Sequence, residues 1–428
     1  MNVSLHITPA RSRVDEPLDI RISGAQPGRT LTLTCRVEDG ARREWTSVGR
    51  FEVGSDGSVD LGRDVPLAGS SYAGVDPLGP LWSVTLDPPR AFFTRTLPLD
   101  LVYRFEVADD GDVLDRAEAV RHFGDGVVCE QIQAGPVVGT LARPDDGRAH
   151  PAVMLLPGSD GARAGHAAAL LAAHGYTVLD FDVFKAEGRP PDLVGIELDE
   201  IDQAVAFLQD LPWSAGASIA VIGLSRGAEL ALQLTADNPR IGLVIAAAPS
   251  SIRQAGITAN YTFTEPAWLR GGTALDFVPG SMGPAAMLTW LRTVITRRPM
   301  RQAAGFLKSL RKHPAAAASA IALENTRADI VLISGTDDGL WPSATYAQHI
   351  ADRLAQHRWS GRLLDERCAG AGHFVAFPYA IPSLPPMCTL APTRAFSLDF
   401  GGTPAVNAAA AHHTWHLIRT ELSRWATA

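Results

Sequence analysis

The residues with the clearest chemical potential are a serine and the two glycines that flank it. The motif GLSRG (223–227) lies where the apolar run SIAVIGLS (218–225) ends and RGAELALQLTAD (226–237) begins. The apolar spacing of the second stretch is helical. A G-x-S-x-G sequence at a strand-to-helix turn is typical of a nucleophile elbow, where side chains at the glycine positions would clash with the neighbouring strand and helix. The sequence predicts Ser225 as a nucleophile; the alternative is a structural Gly-Ser turn.

A serine nucleophile needs a base and an acid, and in this architecture both follow it along the chain. The apolar run ADIVLISG (328–335) is followed directly by TDDGLWP, which contains two adjacent aspartates. Asp338 stands at the usual step after Gly335 and is predicted to orient the base. Asp337 would face the other way and cap or brace the loop, although it stays open as the alternative acid.

The base must come from twelve histidines. His373 lies in the small-residue loop CAGAGHFVAFPY, 35 residues after Asp338, and follows the strand-like run GRLLDERC. That distance is about one αβ unit, so we expect His373 to be the base. His412, His413 and His416 fall on a predicted last helix and are interpreted as surface or packing residues.

An oxyanion formed at the serine would need two backbone N–H donors. In this architecture one comes from the residue after the nucleophile, here Arg226, and the other from the loop after the first core strand. That loop is PGSDG (157–161), in which Ser159 is the preferred donor and Asp160 the alternative. The loop could also be an ordinary strand-to-helix turn.

The elements that would position these residues fill the second part of the chain. In 126–428 fully apolar runs alternate with helical ones, which is typical of a mostly parallel sheet covered on both faces. Residues 193–211 predict one helix, 125–150 a junction, and about 253–325 a helical insertion over the sheet. Residues 1–125 contain short alternating runs cut by Gly-, Pro- and Asp-rich turns, and predict an antiparallel β-sandwich.

Composition excludes several classes of protein. The chain has 428 residues, which favours two domains, and no run approaches the roughly 20 apolar residues of a membrane span. Its net charge of -8 argues against nucleic acid as a partner. The N-terminus lacks the pattern of a signal peptide, and four scattered cysteines indicate reduced thiols, so we expect a cytoplasmic protein without a metal site.

Several motifs in this order resemble one family, the acyl-CoA thioesterases related to bile acid-CoA:amino acid N-acyltransferase. The similarity covers nearly the whole chain. Its motifs are VDEPLDIRISGAQPGRTLTLTC, GSDGSVDL and SSYAGVDPLGPLWSV in the first half, and GLSRGAEL, SGTDDGLWPS, AGAGHFVAFPY and GGTPAVNAAAAHHTWHLI in the second. The family's glycine-rich run after the first core strand is shorter here, PGSDG.

The resemblance implies an α/β-hydrolase fold with an N-terminal immunoglobulin-like β-sandwich domain and a helical insertion. It also implies a catalytic triad of Ser225, Asp338 and His373, the same residues that the motifs indicate. The family's amino-acid transferases carry Cys at the nucleophile position and its hydrolases carry Ser. Ser225 therefore favours hydrolysis of an acyl thioester, with CoA or phosphopantetheine present only as part of the substrate.

A basic segment interrupts this acidic chain. Residues 277–323 contain no Asp or Glu and seven cations, which are Arg292, Arg297, Arg298, Arg301, Lys308, Arg311 and Lys312. We expect Arg297, Arg298 and Arg301 to bind CoA phosphates or an acidic acyl carrier protein. The alternative is a solvated helix face.

Apolar residues in the same basic segment follow helical spacing. They are Met287, Leu288, Trp290, Leu291, Val294 and Ile295. We expect them to face the core rather than to bind an acyl chain.

Three other functions stay open. A serine acyltransferase would pass the acyl group to an amine or alcohol, and a carboxylesterase would use the same residues on an oxygen ester. A catalytically idle hydrolase fold could instead serve as a binding module.

Overall fold

The computed structural model describes residues 3–87, 91–95, 100–260, 262–280, 284–391 and 397–428. Two small β-sheets in the first part of the chain form its first body. Their strands are β1 (Ser4–Thr8), β2 (Arg11–Arg13), β3 (Asp19–Ser23), β4 (Thr30–Glu38), β5 (Glu44–Glu52), β6 (Val59–Asp60), β7 (Leu101–Asp109) and β8 (Asp112–His122). A single helical turn, α1 (Gly79–Trp82), lies between β6 and β7. The sheets have the orders β1-β3-β6 and β2-β8-β7-β4-β5.

Alternation along the strands builds the core between these sheets. In β4 the residues at every second position, Leu31, Leu33, Cys35 and Val37, are buried while their neighbours are partly exposed. They share one apolar core with Ile20 and Ile22 of the facing sheet. The predicted β-sandwich is confirmed. Strand β8 was not predicted, because its polar sequence DVLDRAEAVRH is largely exposed at both faces.

A second, larger body follows. Its strands are β9 (Val127–Ala134), β10 (Val137–Pro144), β11 (His150–Leu156), β12 (Thr177–Phe181), β13 (Ile196–Glu197), β14 (Ser214–Leu224), β15 (Ile241–Ala247), β16 (Trp268–Arg270), β17 (Thr273–Ala274), β18 (Asp329–Gly335), β19 (Leu363–Cys368), β20 (Thr389–Leu390) and β21 (Leu398–Asp399). Its helices are α2 (Gly165–Ala173), α3 (Leu198–Asp210), α4 (Arg226–Asp237), α5 (Pro284–Thr296), α6 (Ala303–Lys312), α7 (Ser343–Gln356) and α8 (Pro404–Ala426), with 3-10 turns at Pro314–Ala316 and Leu323–Asn325.

Eight of these strands form one sheet in the order β19-β18-β15-β14-β11-β12-β10-β9. The six strands from β19 to β12 are parallel, and β10 and β9 continue the sheet in antiparallel pairing. Side chains alternate between two cores, so that Val153 and Leu155 of β11 join α2 and α8 while Ala152 and Met154 join α3, α4 and α7. This is the predicted α/β-hydrolase fold, with helices on both faces of the sheet.

Two local predictions were wrong. The expected junction at 125–150 is instead the hairpin of β9 and β10, since the antiparallel register from Val137↔Ala134 to Pro144↔Val127 adds it to the sheet. The helix predicted over 193–211 begins only at Leu198. Gly195 has a φ of 62°, a left-handed conformation that does not occur inside an α-helix. The next residue, Ile196, pairs with Trp268 as part of a strand.

The insertion over 253–325 is helical only in its second half. Its first half contains the short strands β16 and β17, joined by the turn Gly271-Gly272, whose φ values of 58° and 72° exclude a helix. Helices α5 and α6 follow. No helix among the described residues is long and apolar enough to cross a membrane.

The two bodies are fastened to each other by Asp15, which precedes β3. Its Oδ2 lies 2.6 Å from Nε2 of His174, after α2, and accepts a hydrogen bond of 3.0 Å from Trp415 Nε1 in α8. Burial alone would raise the pKa of Asp15. The hydrogen bond and charge of His174 and the bond from Trp415 outweigh burial, and hold that pKa well below its usual range.

A carboxylate with a lowered pKa stabilises the folded state above its unfolded pKa, and this stabilisation is lost as the pH falls. We therefore expect Asp15→Asn to lower the thermal unfolding midpoint at pH 7 by about 5–10 °C, from the cost of breaking a buried charged contact. The deficit should shrink as the pH falls below about 4, because the carboxylate of the unfolded wild-type chain then takes up a proton while the folded carboxylate stays charged. Scanning calorimetry from pH 3 to 7 measures both effects. Asp19→Asn, an exposed carboxylate on β3, is the control, and equal deficits in the two variants would contradict this role.

Candidate active site

The predicted nucleophile sits on a sharp turn between β14 and α4. Ser225 has a φ of 59° and a ψ of -118°, a conformation that is strained for a residue with a side chain. Its N–H donates to Ala247 O at 2.9 Å, which ties the turn to the end of the neighbouring strand β15. The serine is thereby carried to the carboxyl edge of the sheet, where α/β proteins place their sites.

Both glycines of the G-x-S-x-G motif are required by close backbone approach. A Cβ on Gly223 would lie 2.2 Å from Gly227 O, and a Cβ on Gly227 would lie 2.5 Å from Leu156 O. The second contact presses the start of α4 against the end of β11. The predicted reason for the two glycines is confirmed.

Asp338 and His373 form a direct pair at the same edge. Asp338 Oδ2 lies 2.9 Å from His373 Nδ1, and both side chains are nearly fully buried. Because a carboxylate only accepts hydrogen bonds, Nδ1 carries the proton and Nε2 is left as the acceptor. Of the two aspartates that the sequence left open, Asp338 is the one that contacts the histidine.

Three further donors fix the Asp338 carboxylate. Its Oδ1 accepts from the N–H groups of Leu340, at 2.9 Å, and Trp341, at 3.1 Å, while Oδ2 also accepts from Ser343 Oγ at 2.7 Å. Sequence reasoning missed Ser343, although its position five residues after Asp338 and at the start of a helix is visible in SGTDDGLWPS. The carboxylate is therefore held in one orientation toward His373.

The loop that carries His373 is clamped by backbone contacts and by Asn407. A Cβ on Gly372 would lie 2.2 Å from Gly401 O, and Asn407 Oδ1 accepts from Gly372 N–H at 2.9 Å. The His373 N–H itself donates to Phe400 O at 2.8 Å. Asn407 was also missed, because a buried polar residue in an alanine-rich helix gives no sequence signal of its own.

The serine turn and the histidine loop are joined through Trp341. The indole Nε1 donates to Ala248 O at 3.0 Å. Ala248 directly follows β15, whose last residue, Ala247, accepts the hydrogen bond from Ser225 N–H. The Trp341 ring centroid lies 5.9 Å from that of His373. Ser225, Asp338 and His373 are respectively 5 %, 7 % and 1 % exposed, so the three predicted residues lie in a nearly dry environment at one edge of the sheet.

The turn predicted to hold an oxyanion follows β11. Gly161 N–H donates to Gly158 O at 3.1 Å, which makes Ser159 and Asp160 the two tip residues of a four-residue turn. A Cβ on Gly227 would lie 2.5 Å from Leu156 O and 2.6 Å from Pro157 O, so the first residues of α4 pack against the backbone that leads into this turn. The N–H of Arg226 opens the helix, where the first N–H groups have no intrahelical acceptor. These positions suit the predicted donors.

The Arg226 side chain has a separate, structural environment. Its guanidinium donates to Glu229 Oε2 at 2.8 Å and to Gln254 O at 3.1 Å, and it lies over the Trp268 ring. Glu229 also accepts from Trp268 Nε1 at 2.7 Å; burial raises its pKa, and Arg226 opposes that rise. This buried group fastens α4 to the insertion.

Arg301, one of the three predicted substrate contacts, is engaged by acidic side chains. Its guanidinium donates to Asp337 Oδ1 at 2.8 Å and to Asp337 O at 2.7 Å, and lies 3.7 Å from Asp399. The hydrogen bond from Arg301 lowers the pKa of Asp337. Asp337 thus braces the loop beside Asp338, as the sequence suggested for it. Arg297 and Arg298 are exposed.

Three of the six apolar residues of α5 that were predicted to face the core do not do so. Leu288, Leu291 and Ile295 are 67 %, 45 % and 71 % exposed, so they do not face the core. A helical period shows which residues share a face but not whether another element covers that face. Val294 is half-buried, and the side chains of Met287 and Trp290 lie outside the described residues.

The remaining candidates are peripheral. His412, His413 and His416 are exposed on α8, as interpreted from the sequence, and His413 lies 3.2 Å from Glu366. Within the described ranges, His, Cys, Asp and Glu form no group of three that could hold a metal ion.

The two neighbouring aspartates allow a matched test of the site. Asp338→Asn should slow covalent labelling of Ser225 by a fluorophosphonate at least about 100-fold, because an amide no longer enforces the required histidine tautomer. Asp337→Asn, which weakens the contacts with Arg301 and with the Gly402 N–H but leaves the Asp338–His373 pair, should slow labelling far less. Labelling rates measured by mass spectrometry decide between them. Equal rates in the two variants would show that the Asp338–His373 pair does not activate the serine.

Comparison with known proteins places this geometry in a family. Residues 196–424 match the family described as BAAT / Acyl-CoA thioester hydrolase C terminal, and residues 15–134 match the Acyl-CoA thioester hydrolase/BAAT N-terminal region. The chain is 28 % identical to acyl-coenzyme A amino acid N-acyltransferase 1 of Mus musculus, over 98 % of this chain and 97 % of that protein. It is 28 % identical to acyl-coenzyme A thioesterase 6 of Mus musculus (99 % and 97 % covered) and 29 % identical to thioesterase 6 of Homo sapiens (98 % and 96 %). The chain belongs to the family of acyl-CoA thioester hydrolases and bile acid-CoA:amino acid N-acyltransferases.

Proposed function

We propose that this protein hydrolyses acyl thioesters through an acyl-enzyme intermediate on Ser225. The observation that carries the proposal is the buried 2.9 Å contact between His373 Nδ1 and Asp338 Oδ2, at the sheet edge where Ser225 follows β14. This arrangement leaves Nε2 as a base for the serine hydroxyl. The family, which contains acyl-CoA thioesterases, supports the thioester as the substrate class.

In the first half of the reaction, His373 Nε2 takes the proton of the Ser225 hydroxyl as the oxygen attacks the thioester carbonyl. Asp338 keeps the imidazole oriented and stabilises its charged form. The N–H groups of Arg226 and of Ser159 hold the oxyanion, and Asp160 is the alternative second donor. The tetrahedral intermediate then collapses, the C–S bond breaks, and His373 returns the proton to the leaving thiol.

In the second half, water occupies the place of the thiol. His373 takes a proton from the water as its oxygen attacks the acyl-Ser225 ester, and then returns that proton to the serine. The acid leaves and the enzyme is restored. CoA or phosphopantetheine enters only as the leaving part of the substrate, and no step of this scheme calls for a metal or a bound cofactor.

The serine favours water as the acceptor over an amine. A cysteine would hold the acyl group as a thioester, which amines attack readily, whereas an acyl-serine is an oxygen ester that suits activated water. Transfer to an amine or alcohol stays the alternative function, because relatives named as N-acyltransferases are equally similar to this chain. A carboxylesterase would share every residue and differ only in the substrate.

Turnover of a panel of acyl-CoAs tests the proposal. We expect wild type to release free thiol and free acid, and Ser225→Ala to lose at least about 10,000-fold of that rate. Ser218→Ala, in the middle of β14, where the hydroxyl accepts from Trp425 Nε1, should keep wild-type turnover. Products are identified by mass spectrometry with and without added amines and alcohols. An amide or ester product would make the protein a transferase, and turnover of oxygen esters alone would make it a carboxylesterase.

We also propose that the exposed cations of the insertion bind the anionic end of the substrate. Arg297 and Arg298 are exposed and follow α5, in a segment with no acidic residue. The partner would be the phosphates of CoA or an acidic acyl carrier protein, both of which a local positive field attracts. Arg301 belongs to the same proposed surface, since its side chain is 43 % exposed although Asp337 and Asp399 engage it.

Charge reversal at the two arginines tests this docking. Arg297→Glu combined with Arg298→Glu should raise KM for a carrier-bound thioester about 3- to 10-fold at low salt, with kcat unchanged. The increase in KM should disappear at high salt, because salt screens attraction between exposed charges. Arg148→Glu, an exposed arginine at the opposite edge of the sheet, is the control. If KM at low salt is the same in both variants and in wild type, the two cations are only a solvated surface.

We retain the cytoplasm as the proposed location. All four cysteines are free thiols, which suits a reducing compartment.

A further inference from the structure

The turn that would hold the oxyanion is fastened from outside by a tyrosine. Tyr379 Oη accepts a hydrogen bond of 3.1 Å from Gly158 N–H and donates one of 3.3 Å to Asp160 Oδ1. Gly158 opens the turn and Asp160 is its second tip residue. One hydroxyl therefore bonds to both sides of Ser159, the residue whose N–H we propose as a donor.

The rest of the turn is held at its carbonyl groups. Gly161 N–H donates to Gly158 O, and Lys185 Nζ donates to Asp160 O at 2.9 Å. In contrast, the N–H groups of Ser159 and Asp160 donate to no other described residue. The orientation of the turn about its own axis decides where these two N–H groups point, and the Tyr379 hydroxyl bonds to the turn at both Gly158 and Asp160.

Tyr379 is itself held by the first body of the chain. Arg95 Nη1 donates to Tyr379 O at 2.7 Å, and the Tyr379 ring lies 6.0 Å from that of Phe374, the residue after His373. Burial, with the nearby Asp160 carboxylate, raises the pKa of the Tyr379 phenol. The phenol therefore stays protonated over the physiological range and can both donate and accept.

We infer that Tyr379 is a positioning residue that orients the Gly158–Gly161 turn so that the Ser159 N–H faces the oxyanion. The inference rests on the proposed function, because it assigns a task within the same acyl transfer. Oxyanion stabilisation depends on donors that are already aimed before the charge develops, so that no reorganisation is needed at that moment. The bond from Arg95 extends this positioning to residues that precede the α/β-hydrolase sheet.

The variant Tyr379→Phe removes only the hydroxyl and keeps the ring beside Phe374. We expect kcat to fall about 10- to 100-fold with little change in KM, somewhat below the cost of deleting an oxyanion donor outright. A trifluoromethyl ketone analogue of the acyl group, which forms a tetrahedral oxyanion on the serine, should lose affinity by a similar factor. A non-hydrolysable thioether analogue, which places no charge in the turn, should bind as it does to wild type.

Tyr103→Phe is the matched control, because its hydroxyl donates to Ser383 O at 3.4 Å, away from the turn. It should leave kcat and the affinity for the ketone unchanged. Thermal midpoints of both variants report any general loss of structure. Parallel losses of the midpoint and of both analogue affinities in the two variants would mean that Tyr379 only stabilises the fold, and would overturn the inference.

The outcomes separate this inference from the proposed function. Wild-type kcat and ketone affinity in Tyr379→Phe, with Ser225→Ala inactive, would overturn the role of Tyr379 and leave the thioesterase intact. A wild-type protein that binds the ketone covalently but hydrolyses no thioester would contradict the proposed function. The ketone affinity of Tyr379→Phe would still decide the role of the tyrosine. No ketone adduct in the wild type would contradict both.

Discussion

The close contact of backbones around Ser225 is the constraint on which the site depends. A serine with a φ of 59° is tolerated there because Gly223 and Gly227 let the end of β14, the start of α4 and the end of β11 meet without side chains between them. The same contact brings the first N–H groups of α4 beside the Gly158–Gly161 turn. A single steric arrangement therefore places the proposed nucleophile and the proposed oxyanion donors together, and the strain is offset by the packed sheet around it.

Close backbone contact also places the proposed acid and base. Gly335 and Gly372 approach each other so closely that a Cβ on Gly335 would lie 2.2 Å from Gly372 O. The loop after β18 and the loop after β19 thus meet through backbone, and Asp338 reaches His373 across that contact. Polar groups around the loops then fix the side chains. Ser343 holds the Asp338 carboxylate and Asn407 holds the histidine loop, so the pair is oriented before any substrate arrives.

The sequence predicted the features of the fold and of the site that depend on local patterns. GLSRG marks a turn that only glycine-flanked residues can make, and apolar runs after it mark buried parallel strands. It could not predict features decided by distant partners. The hairpin of β9 and β10, the ion pair of Arg301 with Asp337, and the exposure of Leu288 each depend on which element lies opposite, and periodicity carries no information about that. The start of α3 was missed for a local reason, since Gly195 and the pairing of Ile196 interrupt an otherwise helical pattern.

The most direct test of the central claim is to trap the acyl-enzyme. Wild-type protein is mixed with an acyl-CoA, quenched in acid within milliseconds, and measured by intact mass and by peptide mapping. We expect a mass increase of one acyl group, located on the peptide that contains Ser225 and absent from Ser225→Ala. Turnover with no acyl adduct at any time, or an adduct on another residue, would contradict a serine nucleophile at this turn.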